Sequence, residues 1–299
     1  MIYVCVPAWN EAPTVGLLLW RIRQLLTSFS RDYQILVVND GSTDASEEVL
    51  APYARALPLT LISHRRREGY GRSLEELLRL AASRTDRPRR DIAVTLQADF
   101  SDAPEDLPDL VKRIEGGADI ALAGARAASR GRLPLARRMA SLLLRPALRL
   151  PGVVDPVGTL RGYRLITIQR LVNESGNGPF VTRDGWAADV ELLVRSARHA
   201  RRIETVELTG NAREPARASR AHPTRLLWDT VRASLELRSM ARRGAVQEPP
   251  ADAAPTLAAD AQAADDATPR RHRSRRRGRG RGRGKGPGPS RQASSPPAA

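Results

Sequence analysis

Cysteine is almost absent from the sequence. The chain of 299 residues contains one, Cys5, inside the strand-like run IYVCV, so no disulfide can form within it. A chain without disulfides suits a reducing compartment. A lone thiol in an apolar strand is usually buried and unreactive, and we therefore interpret Cys5 as a structural residue rather than a nucleophile.

Long apolar runs are also lacking. No window approaches the ~18 consecutive apolar residues that mark a membrane-spanning helix. The chain opens on a strand pattern, without the basic and apolar regions of a signal peptide. We therefore expect neither a signal peptide nor a transmembrane helix, and we expect a cytoplasmic protein.

Acidic residues are in deficit. Lys and Arg together number 49 against 33 Asp and Glu, which gives a formal net charge of +16. Part of this excess lies in residues 246–299, but the segment before them is basic as well. A basic chain of this kind favours anionic partners, which include phosphates, nucleotides, anionic lipid and nucleic acid.

The last segment, residues 246–299, has no aromatic residue and consists mainly of Ala, Pro, Gly, Asp and Arg. Such a segment cannot bury enough apolar surface to offset the entropy lost on ordering. We predict one folded domain over residues 1–245 and a disordered tail, first Ala/Pro-rich and then Arg/Gly-rich. Within the tail, RGRGRGRGKG (residues 277–286) resembles segments that bind RNA or anionic surfaces by charge. A solubilising tail is the alternative.

Strand and helix patterns alternate through the first half of the chain. The runs IYVCVP, YQILVVN, LTLISH, DIAVTLQ and ADIALAG are strand-like and continuously apolar. Continuous apolar runs are typical of strands covered on both faces. We predict an α/β fold with a mostly parallel sheet and helices on both faces.

The second half adds a predicted strand in DPVGTLRGYRLI, a helix in WAADVELLVRSARHA and a strand in RIETVELT. Basic, leucine-rich stretches near residues 132–149 and 224–243 predict amphipathic helices. Leucines and arginine stems can bury in a bilayer interface while the guanidinium groups meet headgroups. We expect these two elements to hold the protein at an anionic membrane surface.

Chemically versatile side chains collect directly after the predicted strands, in PAWNE, NDGSTD, HRRREGYG, QADFSD and GAR. In folds of this class, ligands bind outside the carboxyl ends of the strands. NDGSTD has two interpretations. It is either a tight turn in which Thr43 or Asp44 caps a helix, or a nucleotide clamp in which Asp40 accepts hydrogen bonds from a base or ribose.

PAWNE is similarly open. Pro7 and Ala8 could wall a base from which Glu11 accepts a hydrogen bond, or the segment is an ordinary loop. His64 we interpret as a loop residue. In QADFSD, Asp99 follows a buried strand, a placement typical of metal or sugar sites, yet Gln97 stands where a second carboxylate would bind a metal more strongly.

The motifs in their order carry a resemblance to a known family. They are VPAWNEA, VVNDGSTD, RREGYGRSLEE, QADFSDAPEDLP, GAR, DPVGTLRGYRL, DVELL and RASR. Over roughly residues 1–240 the chain resembles the family-two glycosyltransferases of the GT-A fold. Within that family it is most similar to the polyprenyl-phosphate sugar transferases, such as the dolichol-phosphate mannose synthases.

The resemblance implies inverting transfer of a sugar from a nucleotide-sugar to a polyprenyl (dolichyl- or undecaprenyl-type) phosphate at the cytoplasmic face of a membrane. It implies a divalent cation, Mg²⁺ or Mn²⁺, held by Asp99, with Gln97 and Ser101 as further candidate ligands. The implied catalytic residues are Asp99, Arg126, Arg137, Arg138 and Glu191. The implied acceptor side comprises Arg126, Asp155 and Arg161. The implied nucleotide-sugar site comprises Pro7, Ala8, Asn10, Glu11, Asp40, Gly41, Ser42, Gly69, Gln97, Ala98, Asp99, Arg217, Ser219 and Arg220.

The chain also departs from the family pattern. Substitutions relative to that pattern occur at Asn39, Arg67, Gln97, Ser101, Thr159 and Leu160, and the RASR loop lacks the usual glycine. Two other functions therefore stay open. The chain could be a catalytically impaired relative that binds nucleotide-sugars or regulates a partner, or a nucleic-acid-associated protein that acts through its Arg/Gly tail.

Overall fold

The computed structural model describes residues 1–29, 31–124, 139–142, 144–146, 148 and 150–207. The predicted helix near 224–243 and the predicted tail over 246–299 lie outside these residues, so their assignments stay predictions. The domain boundary at residue 245 is likewise a prediction.

Seven strands of the described part of the chain form one sheet. They are β1 (Ile2–Ala8), β2 (Tyr33–Asn39), β3 (Leu59–Ser63), β4 (Ile92–Thr95), β5 (Ile120–Ala123), β6 (Arg161–Arg164) and β7 (Ile203–Val206). Their spatial order is β3-β2-β1-β4-β6-β5-β7. All neighbouring pairs are parallel except those of β6, which runs antiparallel to β4 and β5. The prediction of a mostly parallel sheet is confirmed.

In the described residues, six helices with stated bounds cover the sheet. They are α1 (Ala12–Leu26), α2 (Ser46–Ala56), α3 (Tyr70–Arg84), α4 (Leu107–Glu115), α5 (Leu165–Ser175) and α6 (Trp186–Ala197), with a short 3-10 turn at Pro104–Asp106 before α4. The described residues between 139 and 148 are helical as well. Within the described part of the chain, no helix is long and apolar enough to cross a membrane.

The core lies on both faces of the sheet. On β1, Val4 and Val6 pack in one apolar cluster with Leu18 of α1. The alternate residue Cys5 lies in the opposite cluster with Leu74 of α3. Successive strand residues point to opposite faces, so a strand buried on both sides must be apolar at every position. Burial raises the pKa of the Cys5 thiol to about 12, as befits a structural residue.

Helix α5 was not among the predicted elements. Three of its four opening residues, LITI, are β-branched, and they continue the strand pattern of RGYR. The structure ends that strand at Arg164, and Leu165, Ile168 and Leu171 then pack into the cluster that also holds α3. Their three-residue spacing places them on one helical face, and this tertiary packing outweighs the local strand preference.

Candidate active site

The carboxyl ends of the parallel strands bring the predicted motifs together. Ala8 at the end of β1 is paired with Asn39 at the end of β2, and Asn39 with Ser63 at the end of β3. The chain order reverses between β1 and β4, since β2 and β3 lie on one side of β1 and β4 on the other. Such a switch point opens a crevice between two strand ends.

Antiparallel β6 brings a further segment to this edge. Arg161, the first residue of β6, is paired with Thr95 at the end of β4 and with Leu122 near the end of β5. Because β6 begins where its neighbours end, the preceding residues of DPVGTL approach the same edge as QADFSD. Thr159 donates its hydroxyl proton to the Asp102 carboxylate over 2.6 Å, which links the two segments.

PAWNE and NDGSTD form an interlocked pair of loops. The Asn10 amide N–H donates to the Ser42 hydroxyl over 2.9 Å, and the Asn10 side-chain oxygen accepts from the Thr43 N–H over 2.7 Å. The Glu11 N–H donates to the Ser46 hydroxyl over 2.9 Å. Asn10 adopts φ 54°, a left-handed conformation that asparagine tolerates better than most residues. Asn10 and Ser42 therefore build the edge of the crevice.

The walls of this edge are largely buried. Pro7 and Ala8 close β1, and Ala8 is 2% exposed. Glu11 is 8% exposed, and its carboxylate accepts the Thr14 hydroxyl proton over 2.8 Å. The Asp44 carboxylate accepts from the Ser46 N–H over 3.0 Å, a local turn contact at the start of α2. The N-cap of α2 is Ala45, so neither Thr43 nor Asp44 occupies the capping position.

Asp40 ties the glycine-rich loop, residues 64–69 at the start of HRRREGYG, to the strand ends. The Asp40 carboxylate accepts hydrogen bonds from the backbone N–H groups of Glu68 (2.7 Å) and Gly69 (2.9 Å), and His64 Nδ1 lies 2.9 Å from its Oδ1. The residue is 3% exposed. The structure therefore gives Asp40 a loop-organising role, and its predicted contact with a base or ribose stays a prediction.

Glycine is required where this loop meets the NDGSTD turn. Gly41 adopts φ 61°, and a Cβ added there would lie 2.3 Å from the backbone carbon of Arg66. Gly69 adopts φ 106° directly before α3. Beside this junction, the Arg67 guanidinium lies 3.7 Å from the centre of the Trp9 ring, a cation–π contact. Neither Arg67 nor Trp9 was among the predicted site residues. Arg67 was considered only as a departure from the family pattern.

The acidic strand end after β4 offers oxygen ligands from three residue types. Gln97 and Asp99 are half-buried, Ala98 is buried, and Ser101 is exposed. Asp99 accepts from the Ser101 N–H over 2.9 Å, and the intervening Phe100 adopts φ 60°. Among the described residues, no group of three or more His, Cys, Asp or Glu side chains is placed to hold a metal ion.

Arg161 and Asp155 are buried rather than presented to an acceptor. Arg161 has no exposed surface, and its guanidinium donates to the carbonyl oxygens of Gly158 (2.7 Å), Pro156 (2.7 Å) and Asp189. Asp155 is 2% exposed and accepts hydrogen bonds from Ser141 and from the Val157 N–H. Both residues shape the turn before β6 from inside, so their effect on an acceptor would be indirect.

Glu191 is likewise internal. It has no exposed surface and accepts from the backbone N–H groups of Thr182 (2.8 Å) and Arg183 (2.9 Å), the Thr182 hydroxyl (2.9 Å) and the Arg195 guanidinium (2.9 Å). Glu191 is therefore not a solvated helix carboxylate. The same geometry favours a positioning role over the predicted catalytic one.

His64 lies in the loop directly after β3, as predicted. Its side chain is 8% exposed, and its two ring nitrogens face the carboxylates of Asp40 and Glu76. Arg126, Arg137 and Arg138, and the loop with Arg217, Ser219 and Arg220, lie outside the described residues. Their predicted roles stay predictions.

The sheet order and the arrangement of its strand-end loops are those of an α/β domain of the GT-A fold. A model of the family "Glycosyl transferase family 2" matches residues 3–193, more than half of the chain. The chain therefore belongs to glycosyl transferase family 2.

Two curated relatives share the same printed name, undecaprenyl-phosphate 4-deoxy-4-formamido-L-arabinose transferase. The protein from Photorhabdus laumondii is 31% identical over 127 residues, covering 42% of this chain and 37% of the relative. The protein from Pseudomonas fluorescens is 28% identical over 171 residues, covering 56% of this chain and 48% of the relative. The chain thus spans less than half the length of the curated relatives that it matches.

Solved structures share the fold. The crystal structure of glucosyl-3-phosphoglycerate synthase from Mycobacterium tuberculosis, in complex with Mn²⁺, UDP-glucose and phosphoglyceric acid, is 22% identical with a TM-score of 0.56, covering 80% of each chain. A crystal structure described only as a mycobacterial protein is 24% identical with a TM-score of 0.58, covering 80% of this chain and 75% of that one. At these identities the likeness concerns the fold.

Proposed function

We propose that this protein transfers a sugar from a nucleotide-sugar to a polyprenyl phosphate, with inversion at the anomeric carbon. The observation that carries the proposal is the meeting of PAWNE, NDGSTD and QADFSD at the switch point between β1 and β4. Nucleotide ligands bind at that place in open α/β sheets. The printed names of the curated relatives support an undecaprenyl-type phosphate as the acceptor.

The reaction suits the residues present. An oxygen of the acceptor phosphate forms the new bond to the anomeric carbon while the bond to the donor diphosphate breaks. The nucleoside diphosphate leaves with the electron pair. Because the acceptor oxygen is already anionic, no strong general base is needed. This agrees with an edge where the carboxylates of Asp40 and Glu11 are occupied by protein donors.

A divalent cation fits this site when the substrate contributes ligands. Magnesium commonly binds through one or two carboxylates together with substrate phosphates, and hard cations accept amide oxygens more weakly. Asp99 supplies the carboxylate, and Gln97 and Ser101 are the neighbouring oxygen groups. When bound, such an ion offsets the charge that develops on the leaving diphosphate. We propose Mg²⁺ or Mn²⁺ in this role.

We further propose that the protein acts at the cytoplasmic membrane face. The helical residues between 139 and 148 bury Ala140, Leu144 and Leu148, yet leave Met139 45% and Leu142 61% exposed. Two exposed apolar side chains three residues apart lie on one face of the helix, as in interfacial helices. Each basic group near an anionic surface adds ~1 kcal/mol of attraction.

Flotation with anionic liposomes tests this membrane proposal. At low salt the liposomes should carry the protein, and high salt should weaken capture. Leu142→Ser should reduce flotation. Leu17→Ser is the matched control, since Leu17 is 51% exposed on α1, and it should leave flotation unchanged. Failure to float on anionic liposomes at low salt would contradict the proposal.

The activity itself is tested with purified full-length protein and polyprenyl phosphate in detergent, with Mg²⁺ or Mn²⁺. A panel of UDP- and GDP-linked sugars should include one donor that yields a sugar-phosphate lipid. Asp99→Asn should abolish this product. If the protein binds a nucleotide-sugar but transfers no sugar from any donor, the alternative of an impaired, regulatory relative is correct instead.

A further inference from the structure

A histidine links two carboxylates behind the nucleotide-binding edge. His64 Nδ1 lies 2.9 Å from Asp40 Oδ1, and His64 Nε2 lies 2.8 Å from Glu76 Oε2 on α3. Only 8% of the His64 side chain is exposed, against 34% of the Glu76 side chain. Both ring nitrogens therefore face oxygen atoms that, when ionised, can only accept hydrogen bonds.

Asp40 transmits this contact to the glycine-rich loop, residues 64–69. Its carboxylate also holds the N–H groups of Glu68 and Gly69. The same loop packs its backbone at Arg66 against Gly41 and stacks Arg67 on Trp9. A shift in the Asp40 carboxylate would therefore move the wall of the crevice beside the end of β1.

We infer that His64 is a positioning residue. Its doubly protonated ring donates to Asp40 and Glu76 together, holds the glycine-rich loop in place, and makes nucleotide binding strongest where the ring is charged. This inference concerns the site of the proposed function, and its ligand-binding part rests on that function.

The chemistry follows from the donor count of imidazole. A neutral ring carries one N–H, so its other nitrogen would face a carboxylate that cannot donate, and one of the two contacts is lost. The ring proton that His64 loses as pH rises passes to solvent. Burial lowers the pKa of His64, but the hydrogen bonds with Asp40 and Glu76 and the charges of Glu76 and Glu68 outweigh it and raise that pKa above its usual 6.5. Arg72 pairs with the Glu68 carboxylate, with its Nε 3.7 Å from the Glu68 Oε2.

The first test measures the loop without any ligand. Amide hydrogen exchange of Glu68 and Gly69, followed by NMR on the full chain and corrected for intrinsic rates, should show protection that falls several-fold between pH 6 and 8.5. In His64→Gln, protection should be lower at pH 6 and nearly independent of pH. His199→Gln is the matched control, because His199 also pairs with a glutamate, at 2.7 Å from Glu174, but lies beyond α6. It should match the wild type.

The second test adds a nucleotide. Calorimetric titration with UDP, and separately with GDP, should give a dissociation constant that rises several-fold in the wild type from pH 6 to 8.5, and much less in His64→Gln.

Equal protection of both amides at pH 6 and 8.5 in the wild type overturns the inference, and this needs no variant. If neither nucleotide binds at any pH, the proposed donor class fails while the exchange data still decide the role of His64. Glu76→Gln replaces one of the two carboxylates by an amide that can accept from a charged ring or donate to a neutral one. It should flatten the same profile, and it replaces His64→Gln if that variant does not fold.

Discussion

Replacing Glu191 by glutamine separates a positioning role from a catalytic one. The carboxylate is fully buried and accepts five hydrogen bonds: two from backbone N–H groups, one from the Thr182 hydroxyl and two from the Arg195 guanidinium. Glutamine has the same shape, but its NH₂ group would face donors instead of accepting from them. The segment around residues 182 and 183, which packs at the start of α3, would then lose its anchor.

The expected cost follows from these contacts. Removing one partner of a buried ion pair costs about 3–5 kcal/mol. The Arg195 side chain is 27% exposed, so water can replace part of what it loses. We therefore expect Glu191→Gln to reduce the free energy of unfolding by about 2–4 kcal/mol. For a domain of this size that corresponds to a fall in Tm of about 5–12 °C.

Thermal unfolding followed by circular dichroism measures this effect. The control is Glu174→Gln, because Glu174 is 43% exposed and pairs with Arg198 and His199 at the surface. Exposed pairs contribute about 0–1 kcal/mol, so its Tm should barely move. If Glu191→Gln unfolds within about 1 °C of the wild type yet abolishes sugar transfer, the positioning argument is wrong and Glu191 is catalytic.

Three further predictions concern the same edge. Gly71→Ala should lower the free energy of unfolding, measured by chemical denaturation, by about 1–3 kcal/mol despite the higher helix propensity of alanine. The added Cβ would lie 2.0 Å from the Arg183 carbonyl oxygen, and a gain in stability would contradict this close approach. Titration calorimetry should show that Mn²⁺ binds the wild type well only with a nucleoside diphosphate present, and that Gln97→Asp tightens Mn²⁺ binding without the nucleotide. Equal Mn²⁺ binding to the wild type with and without the nucleotide would refute the single-carboxylate site at Asp99. Because folding raises the pKa of His64, the charged ring stabilises the fold fully below its usual pKa of 6.5, and this contribution is lost as pH rises through the pKa of the folded state. The Tm difference between wild type and His64→Gln should therefore shrink from pH 6 to 9, and a constant difference would show that the ring charge is irrelevant.

Much of the architecture could be predicted because its signals are local and repetitive. Continuously apolar runs such as YQILVVN identified buried parallel strands, and the ordered motifs identified the family. Helix α5 was missed because its local signal is misleading: LITI is a strand-like tetrapeptide, and its helical state depends on packing against the rest of the core. The antiparallel direction of β6 was not predicted either, because a four-residue strand carries no sign of its direction.

The sequence by itself determined which residue types stand at the strand ends, since strand periodicity and motif order are properties of neighbouring residues. Only the tertiary structure decided which of them face a ligand and which hold the protein together. Asp40 meets Glu68 and Gly69 across 28 and 29 residues, and the Arg161 guanidinium meets the Asp189 carbonyl across 28. Whether a carboxylate or guanidinium is buried and hydrogen-bonded inside the protein depends on such distant backbone partners. These are set by how the strands align and how the loops pack, which no local pattern encodes.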